Sequence, residues 1–204
     1  MEKAVAEVVV AAGWKLKPLI RTRRFYTDAE LVSLYKAHLL SYLEYRTPAI
    51  YHAKRDILDK LDRVQHKFLK DIGVDDITAL MEFNLAPLAA RRNMAMLGVL
   101  HRTVLGKGPR HFKELLKLDT AGRLVDPRST IGGEMVKRSA LGLAANFNLL
   151  PDDMKKAADV KSFQRELQSF MKSRAKAGCA DWEALLSPRR QLRKIEDSLC
   201  ARPI

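Results

Sequence analysis

The chain has 204 residues and carries 37 Lys plus Arg against 24 Asp plus Glu, a formal net charge of +13 at pH 7. Ten Gly and eight Pro exclude a collagen-like or linker-type chain, and two cysteines, Cys179 and Cys200, exclude a disulfide-stapled scaffold or a tetrathiolate metal centre. The longest apolar run, Val8 to Trp14, is about a third of the ~20 residues that a membrane-spanning helix needs, so no membrane partner is expected and one core, or two small ones, remains.

The pattern is helical nearly throughout. Residues 3 to 20 form a first predicted helix with Val5, Val8, Val9, Ala12 and Leu16 on its apolar side, weakened near its end by Gly13 and Pro18. Thr27-Asp28-Ala29-Glu30 then has the form of a capping box, in which Thr27 caps free amides and Glu30 reaches back. Leu31, Leu34, Tyr35, His38, Leu39 and Tyr42 follow at helical spacing until Pro48, which predicts a stop. Ile57, Leu61, Val64, Phe68 and Ile72, widened by Leu58 and Leu69, make the cleanest amphipathic stripe, and Gly73 ends it. A connector at Phe83–Pro87 leads to a helix over 88–105, broken by Gly106-Lys107-Gly108-Pro109, and a shorter helix lies around Phe112, Leu115 and Leu116. Asp126-Pro127 and Gly132-Gly133 mark 119–135 as an irregular linker. Beyond it, helices are expected over Leu141–Leu150, Asp159–Met171 and Asp181–Leu199. The expected fold is all-α, with a first helical region over 1–118 and a looser helical C-terminal region over 136–204.

No catalytic set emerges. The five histidines, His38, His52, His66, His101 and His111, form no metal-type spacing, and His38 on its apolar face reads as a core histidine. Asp75-Asp76 could hold magnesium for phosphoryl transfer, but its place after a helix exit favours a cap on the next helix, and Asp152-Asp153 reads the same way. No phosphate-cradling glycine motif occurs, Ser129, Ser139 and Ser198 lack a nucleophile-elbow context, and the two cysteines read as ordinary free thiols. No cofactor and no metal are therefore expected.

The positive charge attracts polyanions, and it is spread along the chain. Residues 1–102 hold 17 basic and 12 acidic side chains, a surplus of five, and residues 103–204 hold 20 and 12, a surplus of eight. Arg21-Thr22-Arg23-Arg24-Phe25-Tyr26 joins guanidiniums to two flat rings, which suits backbone contact and stacking or, equally, a charged turn anchored by its rings. Tyr42 and Tyr45 beside Arg46 are similar, and Arg189–Lys194 makes a further basic run. Glu2 and Glu7 stand where a secretory signal would be basic, so an intracellular chain is expected, nuclear or cytoplasmic ahead of mitochondrial.

Leu34-Tyr35-Lys36-Ala37, Leu40-Ser41-Tyr42-Leu43-Glu44-Tyr45, Pro48-Ala49 and Leu58-Asp59-Lys60-Leu61-Asp62-Arg63-Val64-Gln65 occur in that order. So do Leu85-Ala86-Pro87-Leu88 with Arg91-Arg92, then Arg138-Ser139, Phe147-Asn148-Leu149-Leu150-Pro151 and Val160-Lys161-Ser162-Phe163. Over about residues 14 to 175 this series resembles the thumb and post-thumb region of non-LTR (LINE-type) retrotransposon reverse transcriptases. The resemblance implies a thumb-like helical bundle, with residues 1–20 as the helix leading out of a palm that is missing here. The family's paired polymerase aspartates on a strand hairpin are also missing, and Asp75-Asp76 lies downstream of the thumb-like landmarks. No endonuclease or ribonuclease H set is present. A polymerase needs the missing aspartates to position two magnesium ions, so polymerisation by this chain alone is not expected.

The implied function is non-catalytic binding to the backbone of RNA or an RNA–DNA hybrid. Arg21, Arg23, Arg24, Lys60, Arg63, Lys67, Arg91 and Arg92 are the candidate phosphate contacts, chosen by charge and helical presentation. Apolar faces that would pack on a palm imply a protein partner. Two alternatives stand beside this: a helical structural subunit of a larger ribonucleoprotein assembly, and a polymerase part completed by a separate palm-bearing chain.

Overall fold

The computed structural model describes residues 1–120, 123–126, 132–179 and 181–188. Among them the regular structure is all helical, apart from one isolated antiparallel bridge between Leu118 and Leu124. Packing divides the chain into two compact units, Met1–Ala89 and Ala90–Ile204.

In the first unit, helix α1 (Glu2–Arg21) buries Val5, Val8, Ala12 and Leu16, a spacing that lays one apolar stripe along its length. It runs through Gly13 and Pro18 rather than weakening there. Pro18 lacks an N–H for the carbonyl of Trp14, and that residue faces solvent, where water can stand in for the lost donor. The capping box forms: Glu30 accepts from the Thr27 amide at 2.8 Å, and the Thr27 hydroxyl accepts from Glu30 N–H. Helix α2 (Asp28–Tyr35) continues through a π turn at Lys36–Leu40 into α3 (Ser41–Glu44).

That π turn corrects the expectation for His38. A turn wider than four residues faces Tyr35, Leu39, Leu40 and Leu43 inward and leaves His38 exposed. The stop expected before Pro48 falls at Glu44, where α3 ends. Pro48 then opens α4 (Thr47–Ile50), where its missing N–H costs nothing.

Helix α5 (Arg55–Ile72) buries Leu58, Leu61, Val64, Gln65, Phe68 and Leu69, with Ile57 and Ile72 at the margin of the stripe. Gly73 closes it in the left-handed conformation at φ 75°, which lets Val74 N–H return to the Leu69 carbonyl at 3.0 Å. Helices α1 and α5 pack side by side and run parallel. Lys60 reaches Glu2 at 3.2 Å near their starts, and Arg23 donates to the Asp71 carbonyl near their ends. Tyr35 stacks on Phe68 with centroids 4.3 Å apart, and α6 (Asp76–Met81) is capped by Asp75, which accepts from Thr78 N–H at 2.8 Å. The connector that follows is tied down by the buried Gln65 amide, which donates to the Ala86 carbonyl at 3.0 Å.

The second unit takes all but the first two residues of α7 (Leu88–Val104), then α8 (Arg110–Leu115), α9 (Glu134–Arg138), α10 (Ala144–Asn148), α11 (Asp152–Lys155) and α12 (Val160–Lys176). Short 3-10 turns occupy Ala140–Leu143 and Trp182–Ala184. In the irregular stretch after α8, Asp119 accepts from Arg123 N–H at 2.8 Å, and Asn148 accepts from Leu124 N–H at 2.9 Å and donates to its carbonyl at 2.8 Å. His101 is fully buried on α7 and stacks on Phe163 of α12, centroids 4.3 Å apart, with Phe147 at 6.3 Å. Gly98 faces α12 closely: a Cβ there would lie 2.6 Å from the movable Gln164 Nε2 and 3.1 Å from Val160 Cγ1. Of the helix expected over Asp181–Leu199, the turn at Trp182–Ala184 is described. Arg189–Lys194, Ser198 and Cys200 lie outside the described residues, as does Ser129.

Candidate polyanion-binding surfaces

The cations expected to contact phosphate sit in three kinds of environment. On α5, Lys60, Arg63, Lys67 and Lys70 recur at intervals of three and four residues, so they share one stripe about 15 Å long. Arg63 and Lys67 are exposed, while Lys60 is half-buried beside Glu2. Acids dilute this stripe. The helix holds five Lys plus Arg and four Asp, a surplus of one, and Arg55 pairs with Asp59 at 4.0 Å.

The end of α1 supplies a second group. Arg23, through the Asp71 carbonyl, brings Arg21–Arg24 to the end of α5 that carries Lys67 and Lys70. Arg21 and Lys70 occupy last turns, where a cation also stabilises the negative end of its own helix. Arg24 lies over the exposed Phe25 ring at 4.7 Å. Neighbouring rings are covered in the same way, Trp14 by Lys17 at 4.4 Å, Tyr42 by Lys15 at 5.6 Å and Tyr45 by Arg46 at 5.1 Å. A base stacking on any of these faces has to displace the chain's own cation.

The third group is on α7. Arg91 is half-buried, and Arg92 is only 5% exposed, so its guanidinium is withdrawn from water rather than offered to a phosphate.

Charge divides unevenly between the units. The first holds 14 Lys plus Arg and 12 Asp plus Glu, a surplus of two; the second holds 23 and 12, a surplus of eleven. Halving the sequence near residue 102 hides this contrast. Its most ordered expression is α12, which holds five cations and one acid, Glu166. Lys161, Arg165, Ser169, Lys172 and Lys176 share its outer face at spacings of four, four, three and four. None of them was singled out in the sequence, although that spacing is visible in it.

The acidic pairs lie at the starts of α6 and α11. Asp75 accepts from the Thr78 amide and hydroxyl, and these bonds hold its carboxyl below the usual range. Asp76 lies 3.9 Å from exposed His66, and Asp152 is held low by a 2.7 Å pair with Lys155. Among the described residues no group of three or more His, Cys, Asp or Glu is placed to hold a metal, and no helix is long and apolar enough to cross a membrane. Cys179 is a half-buried free thiol. This chemistry can attract and position an anion.

No protein-family model matches the chain, and no curated protein or solved structure matches it.

Proposed function

We propose that the chain is a non-catalytic module, derived from the thumb and post-thumb region of a non-LTR reverse transcriptase, that binds the backbone of RNA or an RNA–DNA hybrid. The surplus of eleven positive charges in the second unit carries the binding part of this proposal. A surplus of that size repels itself in an isolated unit and is relieved by a polyanion. The derivation rests on the ordered landmarks. Leu34–Ala37 falls where α2 enters the π turn, Leu58–Gln65 lies within α5, Leu85–Leu88 leads into α7, and Val160–Phe163 opens α12. Recognition is by backbone charge and duplex shape, with no residue assigned to base edges.

The test is direct binding of the purified chain to an RNA duplex, an RNA–DNA hybrid and double-stranded DNA of equal length at low salt. The expected order places the two A-like duplexes ahead of DNA. Absence of binding to all three, by a chain that is helical and soluble, rejects the proposal.

A second reading is a helical structural subunit of a ribonucleoprotein. The exposed Val10 and Trp14, one turn apart on the outer face of α1, favour it because they offer an apolar contact beside the charge. Its signature is stable co-sedimentation with an RNA-containing particle that Trp14→Ala weakens. Completion of a polymerase by a separate palm-bearing chain is the third reading, and continued inactivity with that chain present removes it.

A further inference from the structure

The polyanion-binding reading leaves open which surface receives the phosphates, and of the residues expected from the sequence those on α5 and Arg92 are poorly suited to do it. On α5 the stripe is nearly neutralised by its own aspartates, and Arg92 is buried. We infer that the receiving surface is instead the outer face of α12, formed by Lys161, Arg165, Ser169, Lys172 and Lys176, and that its occupant is the phosphate backbone of a nucleic-acid duplex. This inference rests on the proposed function and specifies its site.

Three observations carry it. The first is geometry. The five positions follow one helical face over sixteen residues, about 22 Å, which matches about six or seven steps at the ~3.4 Å rise of a DNA strand. The opposite face is fixed by buried Phe163, Leu167, Met171 and Ala175, so the cations are presented from a rigid support. Ser169, small and exposed at the middle, leaves room for close approach and adds a hydroxyl donor.

The second is the state of the cations. Among the described residues, the side chains of Lys161, Arg165, Lys172 and Lys176 make no hydrogen bond or ion pair, although the Lys161 amide donates to Asp159 and Arg165 feels its charge. Lys161, Arg165 and Lys176 are exposed and Lys172 is half-buried. Glu166 is the one acid within the helix, against four interleaved on α5.

The third is position relative to the helix dipole. Lys176 stands at the negative C-terminal end and helps its own helix. Lys161 stands in the first turn beside the Asp159 carboxylate that caps the helix, and Arg165 lies beyond that turn within the field of Asp159. The cations thus run the whole length of the face, as an anion lying along it requires. Lysine and arginine stems reach phosphate oxygens without reading bases, so the surface favours charge density over sequence.

The experiment uses the full chain and a short RNA–DNA hybrid, with affinity measured across a salt series. One variant carries K161Q, R165Q, K172Q and K176Q; a second carries K60Q, R63Q, K67Q and K70Q; a third, K161R/R165K/K172R/K176R, keeps the charge on α12. The α12 neutral variant is expected to lose at least about tenfold in affinity at low salt. Its log–log salt slope should shrink by about 3 to 4, because each phosphate contact contributes about 0.9. The α5 variant and the charge-keeping variant should stay within about threefold of the parent. Circular dichroism confirms that all three remain helical. If the parent binds and the α12 neutral variant keeps the parent's slope, or the α5 variant takes the loss instead, the inference is overturned while the proposed function stands. If the parent itself does not bind, both fall.

Discussion

His101 carries the clearest pH signature in the molecule. The Ala157 carbonyl 2.9 Å from Nε2 can only accept, so Nε2 holds the proton, and Nδ1 is buried without a partner. A second proton would place an N–H in an interior that offers it no acceptor. Burial pushes the His101 pKa down, against the opposing pull of the Ala157 carbonyl and of Asp159 and Glu166. The fold thus holds the neutral ring, whereas the unfolded chain takes up a proton below pH ~6.5. Stability from this site is complete above that value and is lost as pH falls through it. The urea midpoint should drop between about pH 7.5 and 5.5, and His101→Phe should flatten that drop; an unchanged pH profile in the variant contradicts the assignment. Asp75 and Asp159, held low by the amides that they cap, lose their contributions only as pH falls through and below the carboxylate range near ~4. At this scale local chemistry was legible, since Thr27–Glu30 and Asp75 act through neighbours three residues away. The histidine expectation missed for a tertiary reason. His38 needed the π turn to be known, while His101 lay between Leu97 and Leu100 on one side and Val104 on the other, an apolar context that was open to view.

The helix that holds the first unit together is α5. Its inward stripe meets α1 along its length and receives Tyr35 against Phe68. Phe68 is fully buried, so Phe68→Ala removes a stacked ring as well as its volume and should cost about 3–5 kcal/mol, read from chemical denaturation. A loss below about 1 kcal/mol would mean that the α1–α5 core is not the stabilising contact. Long amphipathic helices such as α5, α7 and α12 were legible because one face repeats over four or more turns. The stop before Pro48 was legible, but not the start of α4, because the same residue that stops one helix is well suited to the first turn of another. On α12 the apolar stripe identifies the helix in the sequence, and its cationic outer face carries no motif of its own.

Over the whole molecule, charge and architecture separate. The first unit is close to neutral, a surplus of two, and the second carries eleven. That contrast required the division at residue 89, which depends on contacts distant in sequence and is marked by no Pro- or Gly-rich linker; the division falls inside α7. The total charge was plain from composition, but its location was not. Binding through such a surface releases counterions from the nucleic acid, so salt dependence reports the interaction more directly than affinity alone. The decisive measurement is the slope of log affinity against log salt for the full chain on an RNA–DNA hybrid. A slope of about −3 to −4 is predicted, corresponding to roughly four phosphate contacts. A slope near zero, or no binding at low salt, would contradict the account.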